Sequence, residues 1–457
     1  MKHKWIKTSN IFQINLLTAS VCNLTCKFCY LHKNESYKIF NEEVINSWKT
    51  GEYFKNVKDV LSRLNSDPNE IRNLELWGGE TLLFIKEITP KITDFIRYFK
   101  NIEKIRISTN WMINVDDFFE FIKVIDSEAS KRIDISLQLS IDGLTEDFLK
   151  SGHNGNVDIY KSNIKKFTQK VNNYKLKNVF IYFSINSNVE KNLFFKYFSN
   201  YDNIKKYVSD FLDFINFINE NCISSHIECL QDCNFPGYAL PCTDTIEDGL
   251  EFAKICNLWN FVAKNEFPDL YRKNKIFLCG TGAFNDYGIF GANCECSELS
   301  GSRTILPDGT ITMCSGTFIY GKDYHRKELI KEKDQKFLIQ NDLISTINYN
   351  PLKLSDKELD DIEWYISSGF KGTKNTYRNF NTSIIRELAY AGQIDKKYTN
   401  NEDLILKMAN FISTLNTCPR ENIFTTNLFY VNDPSIFRRY MNGAVDTQID
   451  AIKCKNN

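Results

Sequence analysis

Between residues 11 and about 230, short runs rich in β-branched and aromatic residues alternate with longer segments of helical periodicity. That alternation restricts the chain to βα units arranged around a parallel sheet. Strands are predicted at IFQINLLT from Ile11, NLELWG from Asn73, KIRIST from Lys104, IDISLQLSI from Ile133, VFIYFSIN from Val179 and SSHIECL from Ser224. Helices are predicted between them, at EEVINSWKTGEYFKNVKDVLSRL from Glu42, KITDFIRYFK from Lys91, VDDFFEFIKVI from Val115 and VDIYKSNIKKFTQKV from Val157. Six such repeats suit a partial (β/α)6 barrel of parallel strands better than a complete eight-stranded one. In parallel βα architectures, function collects on the loops beyond the C-terminal ends of the strands.

The expected α/β barrel takes up residues 1–235, followed by a helical linker at 236–275. Residues 276–325 are dense in Gly, Ser and Cys, and SRTILPDGTITMC reads there as two short strands around Pro307, Asp308 and Gly309, a small β-hairpin module. Segments such as DKELDDIEWYISS and NNEDLILKMANFISTLN predict a mostly helical C-terminal extension over 326–457. With 42% hydrophobic and 14% aromatic residues, the chain can bury a substantial core, which excludes disorder of the whole. Lysine plus arginine balance aspartate plus glutamate at 57 each, so no net positive charge points to a nucleic acid or an anionic membrane surface. No run approaches the roughly 20 apolar residues of a membrane span. The N-terminal stretch mixes Ser, Asn and Gln into its apolar residues, unlike a signal peptide. A cytoplasmic location is expected, and in that reducing setting 14 cysteines favour thiolate metal ligation over disulfides. Cys256 and Cys454 are assigned to the core as small hydrophobes.

The strand from Ile11 runs directly into CNLTCKFCY, which puts Cys22, Cys26 and Cys29 on one loop at the spacing C-x3-C-x2-C. Three thiolates this close can ligate three irons of a 4Fe-4S cube and leave the fourth iron open. An open metal position signals chemistry, by the logic that separates catalytic from structural zinc. The loop resembles the cluster loop of the radical S-adenosylmethionine superfamily, including the aromatic Phe28 before the third cysteine. That resemblance implies that the amino and carboxylate groups of S-adenosylmethionine chelate the open iron. Electron transfer then yields a 5'-deoxyadenosyl radical that takes a hydrogen atom from the substrate.

The same resemblance extends to later strand ends. LELWGGETLL places Gly78, Gly79 and Glu80 after the second strand, similar to the family's GGE motif that holds the methionine amino group. Two glycines permit close backbone approach, and a carboxylate accepts hydrogen bonds from an ammonium group. ISTN, with Ser108 and Asn110, and LSIDG, with Ser140 and Asp142, close the third and fourth strands with small polar groups suited to ribose hydroxyls or the methionine carboxylate. FSIN ends at Asn186, placed to contact the nucleoside.

Cys279, Cys294, Cys296 and Cys314 surround the predicted hairpin, and Cys296-x12-Gly309-x4-Cys314 brings two thiolates across a turn that needs its glycine. Four thiolates complete a cluster with no open iron, suited to electron transfer or structure. The pattern resembles the start of a SPASM or Twitch extension, which implies a second, auxiliary 4Fe-4S cluster. Nothing after Cys314 matches the downstream cysteine run of a two-cluster SPASM domain, so one auxiliary cluster is expected, with Cys418 as a distant ligand. A zinc ribbon is the competing occupant. In HIECLQDC, at the predicted sixth strand end, Glu228 or Asp232 is the candidate general base for a proton lost from a substrate radical.

These resemblances imply an enzyme that modifies a peptide or protein side chain, fed by an electron donor such as flavodoxin or ferredoxin. With the cysteine loop beginning at residue 22, leader-peptide binding is expected from the C-terminal region or a separate protein. Radical chemistry on a small molecule in cofactor or antibiotic biosynthesis is the second reading. A non-catalytic iron-sulfur regulatory protein is the third.

Overall fold

The computed structural model describes residues 11–26, 41–141, 143–144, 157–189, 191–221, 226–228, 233–238, 255, 258–259, 261–263, 265–269, 302–312 and 348–359. Strands β1 (Gln13–Ala19), β2 (Asn73–Gly78), β3 (Lys104–Thr109), β4 (Ile133–Ser140), β5 (Val179–Val189) and β6 (Ile227–Glu228) lie side by side in chain order. All five neighbouring pairs are parallel. Helices α1 (Asn41–Thr50), α2 (Glu52–Arg63), α3 (Ile85–Tyr98), α4 (Val115–Glu128), α5 (Val157–Tyr174), α6 (Lys191–Phe198) and α7 (Tyr201–Asn221) connect them. This is the α/β architecture of a partial barrel.

Two helices depart from the sequence expectation. The segment from Glu42 is two helices, because Gly51 takes a φ of +80°, a left-handed conformation that ends one helix before the next begins. Helix α3 begins at Ile85, upstream of the predicted Lys91, and carries Pro90 inside it. Pro90 supplies no N–H to the carbonyl of Lys86, but Ile85, Ile88, Ile92, Phe95 and Ile96 are all buried along one face. Tertiary burial outweighs the one missing bond there.

The sheet has one apolar and one polar face. Along β4, Ile133, Ile135, Leu137 and Leu139 are buried, while Asp134, Ser136, Gln138 and Ser140 are half-buried. The apolar face packs on helices: Phe183 of β5 lies with its ring centre 6.5 Å from Phe167 of α5, which stacks 5.2 Å from Phe118 of α4. The opposite face carries hydrogen-bonding groups. Ser108 Oγ and Arg106 donate to Gln138 Oε1 at 2.8 and 3.0 Å, and Gln13 Nε2 donates to Glu75 Oε2 at 3.1 Å.

A strand from far along the chain extends the sheet beyond β1. Following β7 (Cys233–Tyr238), β8 (Ser302–Ile305) pairs parallel with β1, in register Gln13 to Ser302 and Leu16 to Ile305. β8 turns back into β9 (Ile311–Thr312), which in turn pairs antiparallel with β10 (Asn348–Tyr349). Within the turn, Leu306 N–H donates to Thr310 O at 2.8 Å and Thr310 N–H to Asp308 Oδ1 at 2.9 Å. The predicted strands around Pro307 are therefore a hairpin, whose first strand belongs to the parallel sheet. Its junction is polar and buried: Asn15 Nδ2 donates to Ser302 Oγ at 3.1 Å and Thr304 Oγ1 at 3.0 Å. Tyr53 of α2 closes the same seam, its hydroxyl accepting from Leu17 N–H at 2.8 Å and donating to the carbonyl of Ile305. Every one of these groups finds a partner, as burial requires.

By contact density the chain divides into two compact units, 1–186 with 212–232 and 297–370, and 187–211 with 233–296 and 371–457. Within the second, Phe198, Tyr207 and Trp259 form an aromatic cluster with ring centres 4.9 to 6.2 Å apart. At the far end of the described residues, Ser355 and Glu358 form a reciprocal capping box, Ser355 N–H donating to Glu358 Oε2 at 2.9 Å and Glu358 N–H to Ser355 Oγ at 3.4 Å. That cap precedes a helical turn at 356–359; the rest of DKELDDIEWYISS lies outside the described residues.

Candidate functional site

Parallel strands put their C-terminal ends on one edge of the sheet, and register decides which residues stand level there. Ala19 pairs with Gly78, Thr109 with Leu139 and Ser140 with Asn186. The cysteine loop after β1, the Gly78–Glu80 segment, Asn110 and Ser140 therefore share that edge. The Asn186 backbone lies there too. Glu228 pairs with Tyr182, four residues before Asn186 along β5 and so roughly 13 Å below that edge at the rise of a strand. Phe28, Cys29, Asp142, Asp232, Cys279, Cys294, Cys296, Cys314 and Cys418 lie outside the described residues.

Backbone contact joins the loop to the glycine pair. Gly79 N–H donates to Ala19 O at 2.9 Å and Glu80 N–H to Val21 O at 3.0 Å, prolonging the β1–β2 pairing past the end of both strands. A Cβ on Gly78 would sit 2.2 Å from Ala19 O, and one on Gly79 would sit 2.2 Å from Val21 O and 2.4 Å from Val21 C. The close approach that these glycines permit is thus to the backbone leading into Cys22. From the other side, Asn41 Oδ1 accepts Ser20 N–H at 3.1 Å, and Trp48 Nε1 donates to Leu17 O at 2.9 Å.

Glu80 is only 1% exposed, and its carboxylate accepts from Leu82, Thr109 and Asn110 among the described residues. Oε1 accepts Leu82 N–H at 2.9 Å and the Thr109 hydroxyl at 2.7 Å; Oε2 accepts Asn110 N–H at 2.7 Å. Charge-assisted bonds of this kind tie the GGE segment to the end of β3. Immediately afterwards the chain turns at Trp111, fully buried at a φ of +60°, a conformation that costs a bulky residue roughly 1–2 kcal/mol. Packing holds it there: the Trp111 ring meets Phe118, Phe167 and Phe183 edge-on at 5.7 to 5.9 Å. Asn163 Nδ2 also donates to Trp111 O at 3.0 Å.

That turn aims Asn110 and Met112 at the cysteine loop. Asn110 Nδ2 donates to Asn23 Oδ1 at 2.8 Å and to Cys22 Sγ at 3.6 Å, and Asn23 Nδ2 donates to Met112 O at 2.8 Å. Leu24 N–H also points at Cys22 Sγ, at 3.4 Å. Cys22 is half-buried and Cys26 buried. Among the described residues, no three Cys, His, Asp or Glu side chains come close enough together to hold a metal ion. The described part of the loop nonetheless fits a cluster ligand set: it presents a cysteine sulfur to N–H donors at a strand end, the environment that tunes iron-sulfur centres. Asn23 and Thr109 were not singled out from the sequence. Both sit inside quoted motifs, and only their position beside Cys22 and Glu80 could have marked them.

The sequence matches no protein-family profile and no curated protein. Several solved structures are similar. Streptococcus suis SuiB bound to S-adenosylmethionine aligns with a TM-score of 0.44 at 13% identity, covering 88% of this chain and 72% of that one. SuiB bound to precursor peptide SuiA aligns with a TM-score of 0.39 at 15% identity over 72% and 69% of the two chains. The hexahistidine-tagged anSMEcpe with bound AdoMet aligns with a TM-score of 0.38 at 15% identity, over 95% of this chain and 99% of that one. Among the described residues, no helix is long and apolar enough to cross a membrane.

Proposed function

We propose that this chain is a radical S-adenosylmethionine enzyme that takes a hydrogen atom from a peptide or protein side chain. One observation carries the reading: the loop holding Cys22 and Cys26 is fastened backbone to backbone against Gly79 and Glu80 at the C-terminal edge of a parallel sheet. Cysteine thiolates and a GGE segment side by side at that edge are what the sequence resemblance calls for. Cys22, Cys26 and Cys29 would hold the 4Fe-4S cluster. When bound, such a cluster supplies the electron that cleaves S-adenosylmethionine to methionine and a 5'-deoxyadenosyl radical.

Around it, the chain's own residues have separate tasks. Gly78, Gly79 and Glu80 would flank the amino end of the cosubstrate, and Glu80 at the same time fixes the end of β3 through Thr109 and Asn110. Ser140, Asp142 and Asn186 would serve the ribose and nucleoside of the cosubstrate. Ser108 stands lower on the polar face, its hydroxyl donating to Gln138. Glu228 or Asp232 would take the proton released when a substrate radical is oxidised. Cys279, Cys294, Cys296 and Cys314, with Cys418, would hold an auxiliary cluster that accepts the substrate's electron. A peptide substrate, and a flavodoxin or ferredoxin as donor, follow from the resemblance to SPASM and Twitch enzymes.

Anaerobic reconstitution followed by dithionite and S-adenosylmethionine tests the proposal. Formation of 5'-deoxyadenosine is expected, with about eight irons per chain if both clusters assemble and about four if only the loop cluster does. A fully reconstituted sample that forms none would defeat the catalytic reading and leave the regulatory one. Candidate substrates are then separated by deuterium transfer: label appearing in 5'-deoxyadenosine from a deuterated peptide supports the peptide assignment, and label arriving only from small molecules overturns it.

A further inference from the structure

Resting on the cluster reading above, we infer that Asn110 is a positioning residue for the Cys22 ligand, its side-chain amide donating to the Cys22 sulfur and raising the reduction potential of the loop cluster. The orientation of an amide is fixed by what its two ends meet, and here backbone decides one end of each of two amides. Met112 N–H can only donate, so the Asn110 atom 2.9 Å from it is the carbonyl oxygen. Met112 O can only accept, so the Asn23 atom 2.8 Å from it is the amide nitrogen. Asn23 therefore turns its oxygen toward Asn110, and Asn110 turns its nitrogen toward Asn23 and Cys22. Of the two hydrogens on that nitrogen, one serves Asn23 Oδ1 at 2.8 Å and the other faces Cys22 Sγ at 3.6 Å.

The Asn110 side chain is held at both ends, its oxygen by Met112 N–H and its nitrogen by Asn23 Oδ1. Asn110 is 5% exposed, its N–H is held by Glu80 Oε2, and Met112 is presented by the turn at Trp111, itself packed into an aromatic box. The donor thus stands fixed before reduction, as a preorganised dipole should. One-electron reduction adds negative charge that is shared with the ligand sulfurs, so a fixed N–H aimed at one of them stabilises the reduced cluster more than the oxidised one. Glu80, a residue of the cosubstrate motif, and Cys22, a cluster ligand, are joined through this single side chain and its backbone.

The test is a redox titration of the reconstituted full chain followed by electron paramagnetic resonance, without S-adenosylmethionine. Leaving the cosubstrate out removes any direct contact between it and Asn110. The loop cluster is recognised as the signal whose g-values move when S-adenosylmethionine is afterwards added. N110A is expected to shift the midpoint of that signal to more negative potential. N110D keeps the oxygen that Met112 N–H needs, loses the donor and adds a negative charge, which by itself disfavours reduction, so it is expected to shift further in the same direction. A midpoint equal to that of the unaltered protein in N110D overturns the inference. If the unaltered chain gives no signal responsive to S-adenosylmethionine, the proposed function fails, and this inference with it.

Discussion

Alanine at Cys26 is expected to abolish formation of 5'-deoxyadenosine, to below roughly one thousandth of the unaltered rate, and to remove the iron signal that responds to S-adenosylmethionine. A cube held by three thiolates has no fourth protein ligand to compensate for a lost one. Cys26 is also buried, so solvent does not readily supply a replacement ligand at its position. The measurement is iron content beside cosubstrate cleavage, with circular dichroism to show that the sheet persists. Cleavage at even a tenth of the normal rate in the variant would remove Cys26 from the ligand set.

A larger structural effect is expected from adding one methyl group at Gly79. Its Cβ would stand 2.2 Å from Val21 O and 2.4 Å from Val21 C, both backbone atoms that no rotamer change can move aside. Overpacking costs typically 1–3 kcal/mol, and two backbone overlaps place G79A at about 3 kcal/mol. The strain is relieved most cheaply by breaking the bond from Glu80 N–H to Val21 O, which frees the loop that carries Cys22. G79A should therefore lose loop iron and melt several degrees lower, whereas the comparison variant S108A should keep both. Thermal unfolding with iron analysis of the two proteins decides it, and a G79A protein that retained full loop iron would show that the glycine pair does not seat the loop.

Much of the parallel sheet was legible because its signals are local. NLELWG and KIRIST are β2 and β3 to the residue, since period-two alternation ends there at turn residues. Where a breaker is tolerated by packing, local signals mislead: Gly51 ends a helix whose periodicity runs on through it, and Pro90 sits inside one. Of SSHIECL, Ile227 and Glu228 are in strand among the described residues, and β5 runs on to Val189 through Ser187 and Asn188, residues of low strand preference. The pairing of β8 with β1 joins residues nearly three hundred positions apart, and no periodicity encodes which strand a hairpin will meet. At the site, the motif residues could be named from the sequence, but their mutual contacts could not. The glycines of the GGE segment were expected to admit a ligand, and here they admit the cysteine loop. Glu80 and Asn110 were each read as facing the cosubstrate; their described bonds include one to each other and, from Asn110, one to Cys22.

Thiolates of one loop are proposed to leave a single iron open to S-adenosylmethionine beside Gly78–Glu80. Mössbauer spectroscopy of the reconstituted protein, before and after the cosubstrate is added, addresses it directly. One iron of the loop cluster is expected to change its isomer shift while the other irons keep theirs. A spectrum that is indifferent to S-adenosylmethionine, or a loop that takes up zinc in place of iron, would contradict it.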